Sequence, residues 1–473
     1  MSADTASDAS PTSGSWRELL LGPQSALVYL LLLGIWLNAA DQLVTVTLMP
    51  SVAQSIGGYA YFAWAAGGFM LGGIVSCASG GWLSARIGVK RGLCLSGALY
   101  AAGCAMSAAA PGVAVFLAGR LVQGVGAGWL ISLCFVAIGV VLPQRLSARM
   151  FSALSGVWGG ATLLGPLVGG LAASLHQWRG LFWAFAAQAV VFLLGVVVMV
   201  PADAKAKGAS SPPPWTQLWL IAVGIIGIAA AAIAKGWPAL VTTSGGGVLL
   251  VIAVLVDRRA SSRILPPGGT DLSGTTGLGN AAIFLFSAAT VIHSIYTPVL
   301  IQRIHGTSPI VAGYVVACEA VGWSFASVIV GGAGEALQGR LIRWGGVCVA
   351  LGLASITWLV GHGAVWSVAL GALVMGAGMG ISFPFISTRV MDGLEGDERG
   401  LASAAVPTLQ FIGGAIGAAM AGVLAGVLGL GVPFDASTAT QAALPLFAGF
   451  VPVAMLAALA AWRLGLQRVN LAR

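Results

Sequence analysis

The sequence predicts an all-α integral membrane protein with fourteen transmembrane helices, arranged as two six-helix halves and a two-helix insert. Three observations lead to this prediction: the composition, the length of the apolar runs, and an internal repeat. Of the 473 residues, 58% are hydrophobic and only 8% are charged, and the mean hydropathy is +0.95. Because a soluble domain has about 25% charged residues, lipid must be the main solvent of this chain.

The apolar runs give the number of spans, since a membrane helix needs about 20 mostly apolar residues. Fourteen runs satisfy this rule, at about 26–49, 59–84, 92–110, 113–141, 150–174, 180–200, 215–234, 240–256, 279–301, 310–333, 341–361, 364–389, 400–429 and 442–464. Runs seven and eight are short and are separated by Lys235–Gly236–Trp237–Pro238. Twelve spans remain the alternative, because dropping these two together leaves the orientation unchanged.

The runs divide the chain into five parts. Residues 1–24 are rich in Ser, Ala and Asp, and we interpret them as a disordered cytoplasmic tail. The first six runs form an N-terminal half at 25–200, and the last six form a C-terminal half at 279–466. The linker at 201–278 holds the two extra spans, and 467–473 form a second cytoplasmic tail.

The basic residues orient the chain. With both termini in the cytoplasm, 18 of the 22 Lys and Arg residues fall on the inner side, three fall in outer loops, and Arg120 lies within a span. Short cytoplasmic loops of membrane proteins carry such an excess of Lys and Arg. The same placement argues against nucleic acid as a partner.

The two halves also repeat each other in sequence. Gly119–Gly128 reads GRLVQGVGAG and Gly371–Gly380 reads GALVMGAGMG, with six of ten positions identical. The offset of 252 residues also aligns Asp41 of the first span with His293 of the ninth. Parallel repeats of this kind are typical of secondary transporters.

Four motifs lie along the first half. Asp41 stands nine residues before Pro50 in the first span, and the fourth span contains Arg120-Leu-Val-Gln123-Gly124. The loop between the second and third spans contains Gly81, Leu83, Arg86, Gly88, Lys90 and Arg91. The fifth span contains Gly165, Pro166, Gly169 and Gly170. Over residues 20–466 the chain resembles the major facilitator superfamily, and within it the fourteen-span drug:proton antiporter branch.

The resemblance implies the major facilitator fold and transport by alternating access. It identifies the six loop residues as the family's loop signature, and Gly165 to Gly170 as its antiporter motif. The loop departs from the family at two positions, because Ala85 replaces an acid and Val89 replaces a basic residue. The family acid helps to hold the halves together at the cytoplasmic face, so we expect this chain to lock its outward-open state differently.

Few ionisable residues lie deep within the spans. They are Asp41, Arg120 and Glu319, with His293 at a similar position, all roughly 10–14 Å below the outer boundary at 1.5 Å per residue. Charges in hydrocarbon are costly and normally face a partner or a cavity. We therefore predict these four for proton coupling; the alternative for each is a structural hydrogen bond or tether.

The substrate cavity is predicted from polar residues near this layer. The candidates are Asn38, Gln42, Gln123, Tyr296 and Glu319. On the first span Asn38, Asp41, Gln42 and Thr45 form one polar stripe, which a cavity-facing helix should have.

Other function classes lack their residues in this sequence. The four lysines follow Val or Ala, so no phosphate-binding GK pair exists for an ATP-driven pump. The four histidines are scattered and the six cysteines lie in apolar runs, so neither an enzyme, a metal site nor a cofactor is predicted. The predicted partners are a small-molecule substrate, protons and membrane lipid, with no obligate protein partner.

The sequence thus predicts a multi-pass protein of the bacterial inner membrane that exports small amphipathic compounds, with a preference for cations, in exchange for protons. The alternative is an exporter dedicated to one endogenous metabolite or siderophore. Substrate breadth separates the two hypotheses.

The charge map makes a prediction about topology. Single cysteines at Lys205, Arg258 and Asp392 should be inaccessible to a membrane-impermeant label added outside, whereas cysteines at Lys235 and Asp435 should react. Labelling at Arg258 from outside would contradict the fourteen-span arrangement.

Overall fold

The structure is built from helices that follow the apolar runs. The computed structural model describes residues 15–201, 212–234, 236–331, 333–392 and 394–467, and within these ranges it contains no strand. Residues 1–14 of the predicted N-terminal tail, residues 202–211 of the linker, Lys235, Gly332, Gly393 and the last six residues lie outside them. The described part of that tail is not disordered but forms a short helix at Trp16–Leu21, because Ser15 Oγ caps its first turn by accepting a hydrogen bond from the backbone N–H of Glu18 at 3.0 Å. The helices are α1 Trp16–Leu21, α2 Ser25–Ile56, α3 Phe62–Ile87, α4 Val89–Ala109, α5 Val113–Val141, α6 Gln144–Ser174, α7 Trp178–Met199, α8 Trp215–Ala230, α9 Trp237–Arg259, α10 Thr275–His305, α11 Pro309–Val330, α12 Glu335–His362, α13 Val365–Met391, α14 Gly396–Val427, α15 Ala436–Ala448 and α16 Val451–Leu466.

The predicted all-α membrane fold is confirmed. Among the described residues, 13 helical segments are long and apolar enough to cross a membrane, and α8 is a shorter apolar helix of 16 residues. Together these match the fourteen predicted runs, with α8 at the seventh. The last run is one segment in two helices, α15 and α16, separated at Gly449 and Phe450. Pro452 in the first turn of α16 cannot donate a backbone hydrogen bond, which accounts for the break.

Several helices extend past the predicted runs. The first run was predicted to end at 49, but α2 continues through Pro50 to Ile56. Helical hydrogen bonding continues into the polar interface, whereas the apolar-run rule measures only the hydrocarbon layer. At the third run α4 begins at Val89, because Gly88 has φ +86° and both ends α3 and precedes α4.

Each half has its own hydrophobic core. In the first half, α2 to α7 enclose residues such as Tyr100, Leu130 and Phe192. In the second half, α10 to α16 enclose residues such as Phe286 and Phe447. This arrangement gives two helix bundles of six spans each, the last of them formed by α15 and α16.

The two-helix insert packs on the seam between the halves. Ile221 and Ile225 of α8 pack in one cluster with Leu71 of α3 and Ile412 of α14. In the turn after α8 the carbonyl of Ala232 lies against α14, where a Cβ on Gly426 would come within 2.8 Å of it. The insert therefore touches both halves.

In the part of the chain that the structure describes, the hydrogen bonds and ring contacts that join the halves lie toward one end of the bundle. We call the end with the α3–α4 turn at Gly88 the basic end, and the end with residues 57–61, which include a short 3₁₀ helix at Tyr59–Tyr61, the opposite end. At the opposite end Arg303 donates to Tyr59 Oη at 3.3 Å, and the Tyr59 and Phe434 rings are 6.1 Å apart. Tyr314 Oη donates to the carbonyl of Leu163 at 3.1 Å, near the start of α11.

Glycines bring α3, α4 and α5 unusually close together. A Cβ on Gly124 of α5 would collide with the carbonyl oxygen of Phe69 on α3. A Cβ on Gly103 of α4 would collide with the backbone of Gln123 on α5. Because both contacts are with backbone, no side-chain movement can relieve them, and α5 can lie between its neighbours only with glycine at these positions.

This packing predicts the effect of one added methyl group. Gly124→Ala should lower the stability of the protein by about 1–3 kcal/mol, because α5 must move away from α3. The measurement is thermal unfolding of the purified protein in detergent. Gly245→Ala in α9 is the matched control, since nothing lies within 4 Å of its Cβ position. An equal effect of the two substitutions would contradict the proposed packing constraint.

Candidate functional site

A buried ion pair lies in the centre of the first half. Arg120 Nη1 is 2.9 Å from Asp41 Oδ2 and 3.1 Å from Oδ1. The two side chains are 2% and 0% exposed. Both were predicted at one depth from helix rise alone, and the structure brings them into direct contact across α2 and α5.

Arg120 reaches Asp41 through a pocket formed by α3. Its Nε donates to the carbonyl of Ala65 at 3.4 Å, and its Cζ lies 4.6 Å from the centre of the Phe69 ring. The Gly124 contact sets this geometry, because it holds the α3 backbone at Phe69 against α5. The ring adds a cation–π interaction with a desolvated guanidinium, which strengthens with burial.

A hydrogen-bond network extends from the ion pair. Gln123 Oε1 accepts from Arg120 Nη1 at 2.7 Å, and Gln123 Nε2 contacts Cys104 Sγ at 3.1 Å. Thr45, one turn along α2, donates to Asp41 Oδ1 at 3.2 Å. The site thus satisfies both charges with polar partners, as a buried ion pair requires.

The other predicted residues of α2 differ from each other in their environment. Asn38 is 1% exposed, and neither its amide nitrogen nor its oxygen has a partner among the described residues. Gln42 is half-buried. Like Gln123, which is 0% exposed, Asn38 is closed off in this arrangement, and their role as substrate-cavity residues stays a prediction.

The predicted residues of the second half share no hydrogen bond or ion pair with Asp41 or Arg120 within the described part of the chain. His293 is fully buried, with Nδ1 2.9 Å from Thr297 Oγ1 and Nε2 without a partner there. Tyr296 is buried, and its ring lies 6.5 Å from that of Phe62 in the first half. Glu319 is half-buried on α11.

The loop signature lies at the basic end. Arg86 and Arg91 are exposed, and the Arg86 guanidinium lies 5.3 Å from the Trp82 ring centre. Lys90 donates to the carbonyl of Val197 at the end of α7, at 2.7 Å. Gly81 is exposed and Leu83 is buried. Within the described residues none of these basic side chains has an acidic partner, in keeping with Ala85 in place of the family acid.

The antiporter motif packs α6 against two helices. A Cβ on Gly165 would meet the side chain of Leu43, and a Cβ on Gly169 would meet the carbonyl of Val44, both on α2. Gly170 faces Ile310 of α11 across the seam. Pro166 lies inside α6 and packs against Gly313 of α11. The packing role is therefore visible; a role specific to antiport stays a prediction.

Sequence reasoning missed several members of the site. Phe69, Cys104 and the carbonyl of Ala65 are apolar or backbone groups that carry no signal of function. Tyr100 Oη, which donates to the carbonyl of Leu37 at 2.8 Å, was also missed. The glycines opposite Phe69 and Gln123 are the one local signal that could have located the close contact.

Comparison with known proteins establishes the class. The model of the Major Facilitator Superfamily matches residues 31–418. The chain belongs to this family of membrane transporters. It is 31% identical over 438 residues to a probable multidrug-efflux transporter of Mycobacterium tuberculosis, with 87% of this chain and 90% of that protein covered. It is also 22% identical over 405 residues to multidrug resistance protein 3 of Bacillus subtilis, with 83% and 78% covered.

Solved structures share the fold. A POT family transporter in complex with 5-aminolevulinic acid superposes with a TM-score of 0.67 at 13% identity, covering 94% of this chain and 96% of that one. The xylose transporter XylE from E. coli, in a partially occluded inward-open conformation, gives 0.59 at 16% identity, covering 92% and 98%.

Proposed function

We propose that this protein is a proton-coupled antiporter that exports small amphipathic compounds, cations above all, across the bacterial plasma membrane by alternating access. Both termini lie in the cytoplasm in this proposal, so the basic end faces the cytoplasm. Each charge moved through the membrane potential supplies about 2.3 kcal/mol per 100 mV. The buried Asp41–Arg120 pair is the observation that carries the proposal.

Asp41 is the group that we assign to the proton. A buried ion pair is stable only while both of its charges are present. A proton on Asp41 cancels the negative charge and leaves Arg120 with two neutral acceptors, Gln123 Oε1 and the carbonyl of Ala65. Protonation therefore raises the free energy of this arrangement and favours another one in which Arg120 has different partners.

The contacts between the halves support alternating access. Rocking of one half against the other would break the Arg303–Tyr59 and Tyr314–Leu163 hydrogen bonds and open the opposite end. The helix that carries Asp41 takes part in this seam, because Thr47 of α2 lies beside Gly313 of α11. A change at Asp41 would thus reach the seam through the same helix.

The relatives support drugs as the exported class, because the Mycobacterium tuberculosis and Bacillus subtilis proteins are both named for multidrug efflux or resistance. An exporter dedicated to one metabolite or siderophore would transport a single compound. Accumulation of a panel of unrelated labelled compounds in cells, with and without an uncoupler, separates the hypotheses. Uncoupler-sensitive export of several compounds favours the antiporter, and export of one favours the alternative.

The coupling role predicts the behaviour of Asp41→Asn. Asparagine keeps the shape of aspartate, but its amide cannot take up or release a proton at physiological pH. Drug-evoked proton movement in reconstituted vesicles should therefore fall to background, while the protein still folds and retains part of its substrate binding. Asp392→Asn, at an exposed position after α13, is the control and should behave as wild type. Normal proton movement with Asp41→Asn would move the coupling role to another residue.

The geometry predicts a separate effect of Arg120→Lys. Lysine keeps the charge but loses the planar fork that contacts Asp41, Gln123 and Ala65 together. The initial rate of proton-driven transport should fall about tenfold or more. Arg399→Lys, at an exposed position of α14, is the matched control. Full activity of Arg120→Lys would show that charge alone suffices and that the fork is dispensable.

A further inference from the structure

The second half repeats the close helix contact that supports the ion pair. In the first half a Cβ on Gly124 of α5 would collide with the carbonyl oxygen of Phe69 on α3. In the second half a Cβ on Gly376 of α13 would collide with the carbonyl oxygen of Glu319 on α11. Glu319 therefore occupies the position that Phe69 occupies in the first half.

A second contact fixes the same register. A Cβ on Gly72 of α3 would collide with the carbonyl oxygen of Leu121 on α5, and a Cβ on Gly322 of α11 would collide with that of Leu373 on α13. Gly72 precedes Gly322 by the same number of residues as Phe69 precedes Glu319. Two independent backbone contacts thus superpose α3 and α5 on α11 and α13.

This superposition shows that the two halves carry opposite charges at two different positions of the same helix packing. Arg120 stands four residues before Gly124, and Ala372 stands four residues before Gly376. The first half has a cation at this position and an aromatic ring at Phe69. The second half has a methyl group where the cation would be and a carboxyl group at Glu319. Its acid therefore lacks the built-in arginine of the first half.

No described residue pairs with Glu319 in the place of that arginine. Within the described part of the chain its carboxyl group has neither a hydrogen bond nor an ion pair. It lies two and a half helical turns from Val328, which is 83% exposed, so the two residues point to opposite sides of α11. The carboxyl group thus lies away from the lipid-facing side, where an unpaired negative charge is costly.

Two aromatic rings lie one helical turn further along the side of α11 that carries the acid. Trp323 follows Glu319 by one turn on the same side of α11, and its ring centre is 5.2 Å from that of Phe383 on α13. In the same register the first half has Gly73 and Ile131 at these positions. An acid next to aromatic faces is the combination that proteins use to bind organic cations.

We propose that Glu319, Trp323 and Phe383 form the site that binds the positive charge of an organic cation during transport. The ligand's charge takes the role in the second half that Arg120 has in the first, and the rings cover its apolar groups. The inference rests on the proposed export of cations and adds where the cation binds. It assigns the two acids different tasks: Asp41 pairs with a residue of the protein, and Glu319 pairs with the cargo.

The test is a binding measurement that needs no proton gradient. The purified full-length protein in detergent is titrated with labelled tetraphenylphosphonium by equilibrium dialysis. Glu319→Gln keeps the size of the side chain and removes its charge, so the dissociation constant should rise about tenfold or more. Glu335→Gln makes the same change at the exposed start of α12 and should bind as wild type.

A second pair of variants tests the aromatic part of the site and covers poor folding of Glu319→Gln. Trp323→Leu should weaken binding of tetraphenylphosphonium severalfold, and Trp323→Phe should retain most of it, because only phenylalanine keeps an aromatic face. Equal affinity of Glu319→Gln and wild type, or equal loss in the two Trp323 variants, would overturn the proposal. So would a wild-type protein that binds neither tetraphenylphosphonium nor ethidium.

The outcomes are distinct from those that test proton coupling. Loss of proton movement with Asp41→Asn, together with unchanged cation binding by Glu319→Gln, would leave the antiporter proposal standing and remove this site. Cation binding that depends on Glu319, in a protein without drug-evoked proton movement, would support this site and contradict the antiporter proposal.

Discussion

Close approach of helix backbones is the constraint on which the rest of this structure depends. Helices in lipid gain little from burying apolar side chains against one another, so they associate through small residues that allow tight packing. In this chain Gly124 and Gly103 place α5 against α3 and α4, with no room for a methyl group. Only at this separation can Arg120 reach Asp41, the Ala65 carbonyl and the Phe69 ring together.

The buried pair shows how the two halves of a repeat can diverge. Both halves keep the glycine contacts, because the bundle needs them, but the side chains beside those contacts differ. In the first half Asp41 accepts hydrogen bonds from Thr45 and Arg120, and Arg120 also donates to Gln123. The second half has Ala372 in place of the arginine and leaves Glu319 without a partner among the described residues. The same backbone arrangement thus holds a paired polar network in the first half and, among the described residues, an acid without a partner in the second.

Much of this could be predicted from the sequence, because the membrane imposes simple rules. Apolar run length gave the helices, and helix rise placed Asp41 and Arg120 at one depth. Rise alone says nothing about rotation around the helix axis, so the burial of Asn38 and the roles of Phe69 and Cys104 were not predicted. The repeat offset of 252 holds between α5 and α13, but Gly72 and Gly322 are only 250 residues apart. Turns of unequal length shift the register, so a single offset could not align Glu319 with Phe69.

The position of the insert has a mechanical consequence. The turn after α8 touches α14 through backbone, at Ala232 and Gly426. Trp215 at the start of α8 instead meets the first half through the ring of Trp82, with the ring centres 6.1 Å apart. A backbone contact without intervening side chains resists sliding, while paired rings can slip past each other by changing rotamer. If one half turns against the other, we expect the two-helix insert to move with α14 and to slide over α3. The insert would then act as a cover that keeps lipid chains out of the moving seam.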